Sequence, residues 1–199
     1  MPVMVDGLRM PAIVAGDAAL EICNTRAAWS GGAETHEYLH TYQHLAIWAR
    51  HAGLTPDVSS ALAVSPADAS SVEGEQVLRR ALAFRREYYA ALTGGQPDWA
   101  LIDDEVRRLA PGLTPDPTGT AVAAWDLGRD TEQPLRAIVQ AAARMLASPA
   151  SHQVRSCPGV GCGWLFHDPR GRRRWCVMAV CGNRAKVARH AAAHRPPAV

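Results

Sequence analysis

The stretch Cys157–Arg184, CPGVGCGWLFHDPRGRRRWCVMAVCGNR, decides how the rest of this 199-residue chain is read. It holds four of the five cysteines, as Cys157-x4-Cys162 and Cys176-x4-Cys181, with thirteen residues between the pairs. Two short-spaced thiol pairs joined by a medium loop are the usual framework of a structural zinc site, where four thiolates close a tetrahedron. Each pair then sits on its own turn, and the metal joins two knuckles that bury too little apolar surface to fold alone. Cys157, Cys162, Cys176 and Cys181 are therefore read as the ligands of one structural Zn2+. Disulfides are a competing reading, but they need an oxidising compartment, and Met1–Val14 lacks the charged and apolar regions of an export signal. Unliganded buried thiols are another, but Pro158, Gly159, Gly161 and Gly163 indicate a turn and not a core strand.

The charge is divided in the same way. From Ser151 to Val199 there are nine arginines and lysines against one acid, Asp168, a net +8. The other 150 residues carry twelve against eighteen, a net −6, so the overall +2 hides a chain split by sign. A basic end on an acidic partner region is the electrostatic footprint of nucleic-acid binding. Arg170, Arg172, Arg173 and Arg174 lie between the thiol pairs, and Arg184, Lys186, Arg189 and Arg195 follow the last one. The Ala-rich run after Cys181 reads as a helix until Pro196-Pro197 stop it. At 100° per residue, Asn183, Lys186, Arg189 and His190 share one side, while Cys181, Ala185, Ala188 and Ala192 turn toward the metal. In this reading Arg172, Arg173, Arg174 and Arg189 neutralise phosphates, and Asn183 and Lys186 reach base edges. Arg184 projects nearer the cysteine side and is expected to fold back, pairing with Asp168.

The run Cys162-Gly-Trp-Leu-Phe-His-Asp168, then Arg173-Arg-Trp-Cys-Val-Met178, then Cys181-Gly-Asn-Arg184 closely resembles the CGNR zinc-finger family. The resemblance covers roughly the last 45 residues, and it implies a bacterial DNA-binding module with a treble-clef-like or ribbon-like zinc fold ending in a helix. One departure is visible: Pro169-Arg170-Gly171-Arg172 stands where the family usually has a Ser-Arg-Asn type segment. Further upstream, ALEICNTR near the start, YQHLAIWARHAGL, and the position directly before the finger resemble the ABATE domain. That resemblance implies a helical sensor domain of stress-linked transcriptional regulators. If such a domain holds a small ligand, Asn24 and Arg26 are the candidate contacts, with Trp29 or Trp125 as a wall.

Working outward from the cysteines, residues 148–153 form a link too short for a free tether, so the two parts are expected to touch. The chain divides into residues 1–150, read as all-α, and residues 151–199, the zinc module, giving a mainly α fold. Residues 1–15 form an apolar lead-in without a readable element. Helices are expected over Asp17–Trp29 (with Asp17 or Gly16 near its N-cap), from Glu37 to Gly53, over Glu73–Thr93, over Asp98–Ala110 and over Gln133–Leu146. Ser30–Glu34 reads as a Gly-rich loop, and Thr55–Ser71 as a loop in which a short helix starts at Ser65-Pro66. Thr114–Gly119 is loop, and Thr120–Leu127 has the composition of a strand. Arg79-Arg80 and Arg85-Arg86, flanked by Glu75 and Glu87, read as a solvated helix face.

Some function classes are excluded or set aside. No run approaches eighteen apolar residues, so no membrane span is expected. Free thiols without an export signal point to the reducing cytoplasm and, for a DNA binder, to the nucleoid. His36-Glu-Tyr-Leu-His40 fits the HExxH pattern of zinc proteases and His44 extends the series, but no metzincin-type Gly-x-x-His follows and Glu37 opens its helix, so the match is read as chance. With no other nucleophile–base set or phosphate loop, the chain is not read as an enzyme. The expected function is that of a zinc-dependent transcriptional regulator on double-stranded DNA, with the helical part sensing a small effector or forming a homodimer. The alternatives are an RNA-binding module stacking bases on Trp164, Phe166 and Trp175, although these suit a tiny module's core better, and a protein adaptor using zinc only for shape.

Overall fold

The computed structural model describes residues 2–29, 36–55 and 71–194. The loop expected over 30–34, the short helix expected from Ser65-Pro66, and Arg195 with the Pro196-Pro197 stop all lie outside the described residues.

The apolar lead-in is a hairpin. Strands β1 (Pro2–Val5) and β2 (Leu8–Pro11) pair antiparallel. Asp6 and Gly7 between them both have positive φ, 48° and 76°. That two-residue turn matches the natural twist of the strands, and Asp-Gly between apolar runs is its sequence signal. Helix α1 (Ala18–Glu21) starts at Asp17, whose carboxylate accepts from the Ala19 N–H at 2.9 Å. It tightens into a 3-10 turn over Cys23–Thr25 and stops there, short of Trp29. Arg26 has extended backbone and forms an antiparallel bridge with Glu37. Helix α2 (Tyr42–His51) starts later than expected, at a Thr41 cap. The Glu37 carboxylate accepts from the N–H groups of Tyr38 and Leu39 at 3.0 and 2.9 Å, which holds that segment out of the helix.

The later helices match their sequence signals. Helix α3 (Val72–Leu92) has a Ser71 cap and is closed by Gly94 at φ 75°, a left-handed position suited to glycine. Helix α4 (Trp99–Arg108) is capped by Asp98, and α5 (Gln133–Leu146) carries Pro134 in its first turn. Strands β3 (Gly112–Pro115) and β4 (Ala123–Asp126) form an exposed hairpin, so part of the expected loop at Thr114 is strand. A 3-10 turn over Pro149–Gln153 leads into β5 (Val154–Ser156), which pairs antiparallel with β6 (Leu165–His167). A single wide π turn, Met178–Gly182, opens into the last helix, α6 (Asn183–Ala193).

The described residues thus contain six α-helices and three two-stranded sheets. The fold is helical at its centre but not all-α, because short hairpins occupy its start, its α4–α5 connection and the entry to the finger. The main core gathers Leu20, Leu45, Trp48, Ala81, Phe84, Tyr88, Leu135 and Ile138, and it also contains Val154 and Leu165 from β5 and β6. The finger's own sheet therefore completes the helical core. Full burial of a side chain such as Leu165 stabilises by roughly 2 kcal/mol. No described helix is long and apolar enough to cross a membrane.

Candidate metal centre and basic helix

Both knuckles are set by backbone hydrogen bonds. The Cys157 N–H donates to the Trp164 carbonyl at 2.8 Å, and the Cys162 N–H to the Gly159 carbonyl at 2.9 Å. In the second pair, the N–H groups of Val180, Cys181 and Gly182 all point at the Val177 carbonyl, at 3.2, 2.9 and 3.4 Å. The result brings four Sγ atoms within 4.8 Å of one another. Cys162 and Cys176 are 3.6 Å apart, and Cys176 and Cys181 3.7 Å. Tetrahedral zinc with Zn–S bonds of about 2.3 Å needs sulfur–sulfur separations of about 3.8 Å. The four thiols fit one structural Zn2+.

Two glycines allow this closeness. A Cβ on Gly159 would lie 3.1 Å from Cys181 Sγ, and one on Gly182 would lie 2.3 Å from Met178 Sδ and 3.1 Å from Trp175 Cδ1. Three ligands are buried and Cys162 is partly exposed. Hydrogen bonds from the Cys162 and Cys176 thiols push Cys157 down, and donation to Cys157 pushes Cys162 up. Burial raises Cys181. Zinc must displace the remaining protons, so its retention weakens as the medium becomes acid.

The loop between the knuckles is organised by Asp168 and Arg173. The Asp168 carboxylate accepts from the backbone N–H groups of Arg172 and Arg173 at 3.0 and 3.1 Å. Asp168 is thus committed to its own turn, and Arg184 does not pair with it; Arg184 is exposed at the start of α6. Arg173 is also corrected. Its guanidinium donates to the carbonyls of Val14, Ala15, Trp175 and Cys176 and lies 4.7 Å over the Phe166 ring. It fastens the finger to the N-terminal segment and is not free to neutralise a phosphate.

The finger is docked onto the helical part through the ALEICNTR segment. Asn24 is fully buried, and its amide bonds both ways to one residue of β6. The Leu165 N–H donates to Asn24 Oδ1 at 2.8 Å, and Asn24 Nδ2 donates to the Leu165 carbonyl at 3.0 Å. Asn24 Nδ2 also reaches Glu21, whose other oxygen accepts from the Val14 and Ala15 N–H groups; burial raises that carboxyl even so. Around this point, Trp164 Nε1 donates to the Arg26 carbonyl at 2.9 Å and the Trp29 N–H to the Cys162 carbonyl at 3.2 Å. The Tyr89 hydroxyl donates to the Gly163 carbonyl at 2.9 Å, and Trp29 stacks on Tyr89 with centroids 3.9 Å apart. Asn24 is therefore a docking residue, not a ligand contact. The Arg26 guanidinium lies over Trp29 at 4.8 Å, on the same seam. Trp125, 44% exposed on β4, forms no wall of a shared site with them.

Glu37 of the HExxH match has a structural partner that the sequence reading left on a solvated face. Arg85 is 3% exposed and grips Glu37 with both terminal nitrogens, at 2.9 and 2.5 Å, while also donating to Thr25 Oγ1 at 2.6 Å. The signal was available: Arg85 lies on the same inward stripe as Val77, Ala81, Phe84 and Tyr88. Residues 36–41 are not helical, so His36 and His40 do not share a helix face as a metal clamp would require. Burial works to raise the Glu37 carboxyl, but Arg85 and the two backbone N–H groups outweigh it and hold it below the usual carboxylate range. Its contribution is thus present above the unfolded value of about 4.3 and is lost as pH falls through the lower folded value. Glu37→Gln, which keeps one acceptor oxygen, should cost about 2 kcal/mol at neutral pH. In urea unfolding followed by helical circular dichroism, the gap to the unmodified protein should close as pH falls through the lowered folded value of this carboxyl.

The aromatic residues of the finger are its core. Trp164 and Phe166 are 6% and 1% exposed and cluster with Cys157, Cys176, Cys181 and Tyr38 of the helical part. Trp175 is half-buried beneath Arg174, whose guanidinium stands 5.2 Å from its centroid. Beyond this cluster α6 projects outward, and none of its residues is buried. Ala188 and Ala192 are exposed instead of facing the metal, because the helix is held only through its first turn. Lys186, Arg189 and His190 are exposed, as are Arg172 and Arg174 on the neighbouring loop. Asn183 is exposed too, but its amide nitrogen donates to the Ala179 carbonyl at 3.1 Å, so half of its recognition edge is tied to the π turn.

The chain matches two known families, in the order finger-last that the charge split and cysteine spacing indicate. Residues 16–149 match ABATE, described as "Putative stress-induced transcription regulator", and residues 153–194 match the CGNR zinc finger. No curated protein matches the chain. The tetrathiolate geometry and these two matches agree on one conclusion: the chain belongs to the ABATE family and carries a CGNR zinc finger at its C-terminal end.

Proposed function

We propose that the protein is a zinc-dependent transcriptional regulator that binds double-stranded DNA through α6 and the inter-knuckle loop. One observation carries this reading: an eleven-residue helix, with no residue buried, is anchored by its first turn to the metal centre and carries cations that no carboxylate among the described residues pairs. Such a helix is about 16 Å long and of a width that the major groove admits. Arg172, Arg174 and Arg189 would meet phosphates, and Lys186 would reach base edges, with the remaining acceptor of Asn183 beside it. Exposed Val187, 68% accessible, offers an apolar contact for a thymine methyl. The helical part would carry the regulatory input, by holding an effector or by pairing two copies, and the protein would act at the nucleoid. The RNA alternative is disfavoured because Trp164 and Phe166 are buried and the Trp164 N–H is engaged.

The test is selection of bound fragments from random duplex DNA by zinc-loaded protein at two salt concentrations. An enriched motif that persists at the higher salt is the expected result, and a palindromic motif would identify a dimer. Arg189→Gln should weaken binding to all sequences alike and reduce the salt slope by roughly one. Lys186→Gln should instead flatten the sequence preference by on the order of tenfold at one position. Salt-insensitive or absent duplex binding by the zinc-loaded protein would refute the reading and favour the adaptor.

A further inference from the structure

We infer that a cleft between the N-terminal hairpin, Tyr38 and the two zinc knuckles is a binding site for a small organic anion with a flat apolar body. The cleft encloses about 340 Å3, within the size range of small-molecule sites. Six separate segments build it: β1–β2, Ala27, the stretch around His36 and Tyr38, each of the two knuckles, and the first turn of α6; its floor is the metal centre itself, through Cys162, Cys176 and Cys181. Its apolar surfaces come from Tyr38, Trp164, Val177 and Val180, with Tyr38 and Trp164 held rigidly in the finger's core. Its polar surfaces come from Arg9, His36 and Arg184, and among the described residues no carboxylate lines it.

The two arginines differ from those that hold the fold together. Arg80, Arg85 and Arg136 are engaged by carboxylates and Arg173 by carbonyls. Neither Arg9 nor Arg184 makes a side-chain hydrogen bond or ion pair with a described residue, so their planar donor sets are available to a ligand. Net charge alone does not select the ligand, because four thiolates around Zn2+ carry −2 and the two guanidiniums only offset it. What selects a carboxylate is the guanidinium fork, which donates to two oxygens at once in a geometry an ammonium or an amide cannot match. The aromatic walls take the body of such a ligand, and the fork fixes its head.

This site deepens the regulator reading, since a ligand here touches the hairpin, the helical part and Arg184 on the DNA-facing helix together. Its occupancy would bias how α6 is held. The existence of the site does not depend on DNA binding, and the test leaves DNA out so that the two readings fail separately.

The zinc-loaded full chain is titrated with benzoate, and with benzamide as an uncharged molecule of the same shape, following backbone amide NMR shifts. Saturable benzoate binding on the order of 1 mM is expected for so small a fragment, with shifts centred on Tyr38, Trp164 and Val177. Benzamide should bind at least tenfold more weakly. Arg9→Gln and Arg184→Gln should each weaken benzoate by about tenfold while zinc content and melting temperature stay unchanged. Absence of saturable binding across the millimolar range, equal binding of benzamide, or undiminished binding by both variants would overturn the inference.

Discussion

Cys176→Ser will abolish stoichiometric zinc binding and unfold the finger from its first knuckle through α6. Cys176 is 4% exposed, and its sulfur sits 3.6 and 3.7 Å from those of Cys162 and Cys181, so a hydroxyl there gives zinc a harder, weaker ligand in a closed site. Structural zinc contributes about 10 kcal/mol or more to such a module, far beyond what its small aromatic cluster supplies. The loss propagates through Arg173, whose guanidinium bonds the Cys176 carbonyl and the N-terminal segment together. Amide exchange should accelerate across residues 157–193, and metal analysis should fall from one equivalent to none. The helical part should survive, because Leu45, Trp48, Phe84, Tyr88 and Ile138 pack without the metal, but it should melt several degrees lower. A Cys176→Ser protein that retains a full equivalent of zinc and slow exchange in α6 would rule out the four-thiolate site. Duplex binding should disappear with the metal if α6 is the reading helix.

Asn24→Ala will separate the finger from the helical part without removing its metal. The substitution leaves the Leu165 N–H and carbonyl without their partner at a position where both are buried, along with one bond to Glu21. Each buried polar group so stranded costs about 1–3 kcal/mol, so a loss of about 4 kcal/mol is expected. That magnitude is a large share of the stability of an ordinary domain, typically about 5–15 kcal/mol. The finger should still take one zinc, because no thiol ligand depends on Asn24. Exchange at Leu165 and at Trp29, whose N–H donates across the same seam, should rise together, while the amides of Val180 and Cys181 stay protected. Asn24→Asp should be nearly as damaging, since a carboxylate has no N–H for the Leu165 carbonyl and must be buried beside Glu21. If Asn24→Ala melts within about 1 kcal/mol of the unmodified protein, water has replaced the amide and the seam is held elsewhere.

The residues whose roles changed between sequence and structure share a physical cause. Arg173, Arg85 and Asn24 are polar, and polar residues in sequence default to solvent or to ligands. What they bond to lies far along the chain: Arg173 to Val14, Arg85 to Glu37, Asn24 to Leu165. No local spacing records such pairs. The start of α2 was missed for a related reason. Glu37 has a helix-former's composition around it, but its carboxylate is committed to Arg85 and to two backbone N–H groups, so α2 begins only at Thr41. The first hairpin was different, because Asp6-Gly7 was a readable local signal that went unused.

By itself the sequence determined what rests on covalent spacing and short-range chemistry. Two x4 thiol pairs can close around zinc whatever surrounds them, and caps such as Asp17, Ser71 and Asp98 act on N–H groups two or three residues away. Charge segregation was likewise legible, since it is a sum over residues. Only the tertiary structure decided which arginines face solvent and which hold the molecule together. It also decided that the finger shares its core with the helices through Val154 and Leu165, and that α6 stands clear of both. Those outcomes depend on which buried donors find acceptors across the fold, a condition met only when distant segments are brought together.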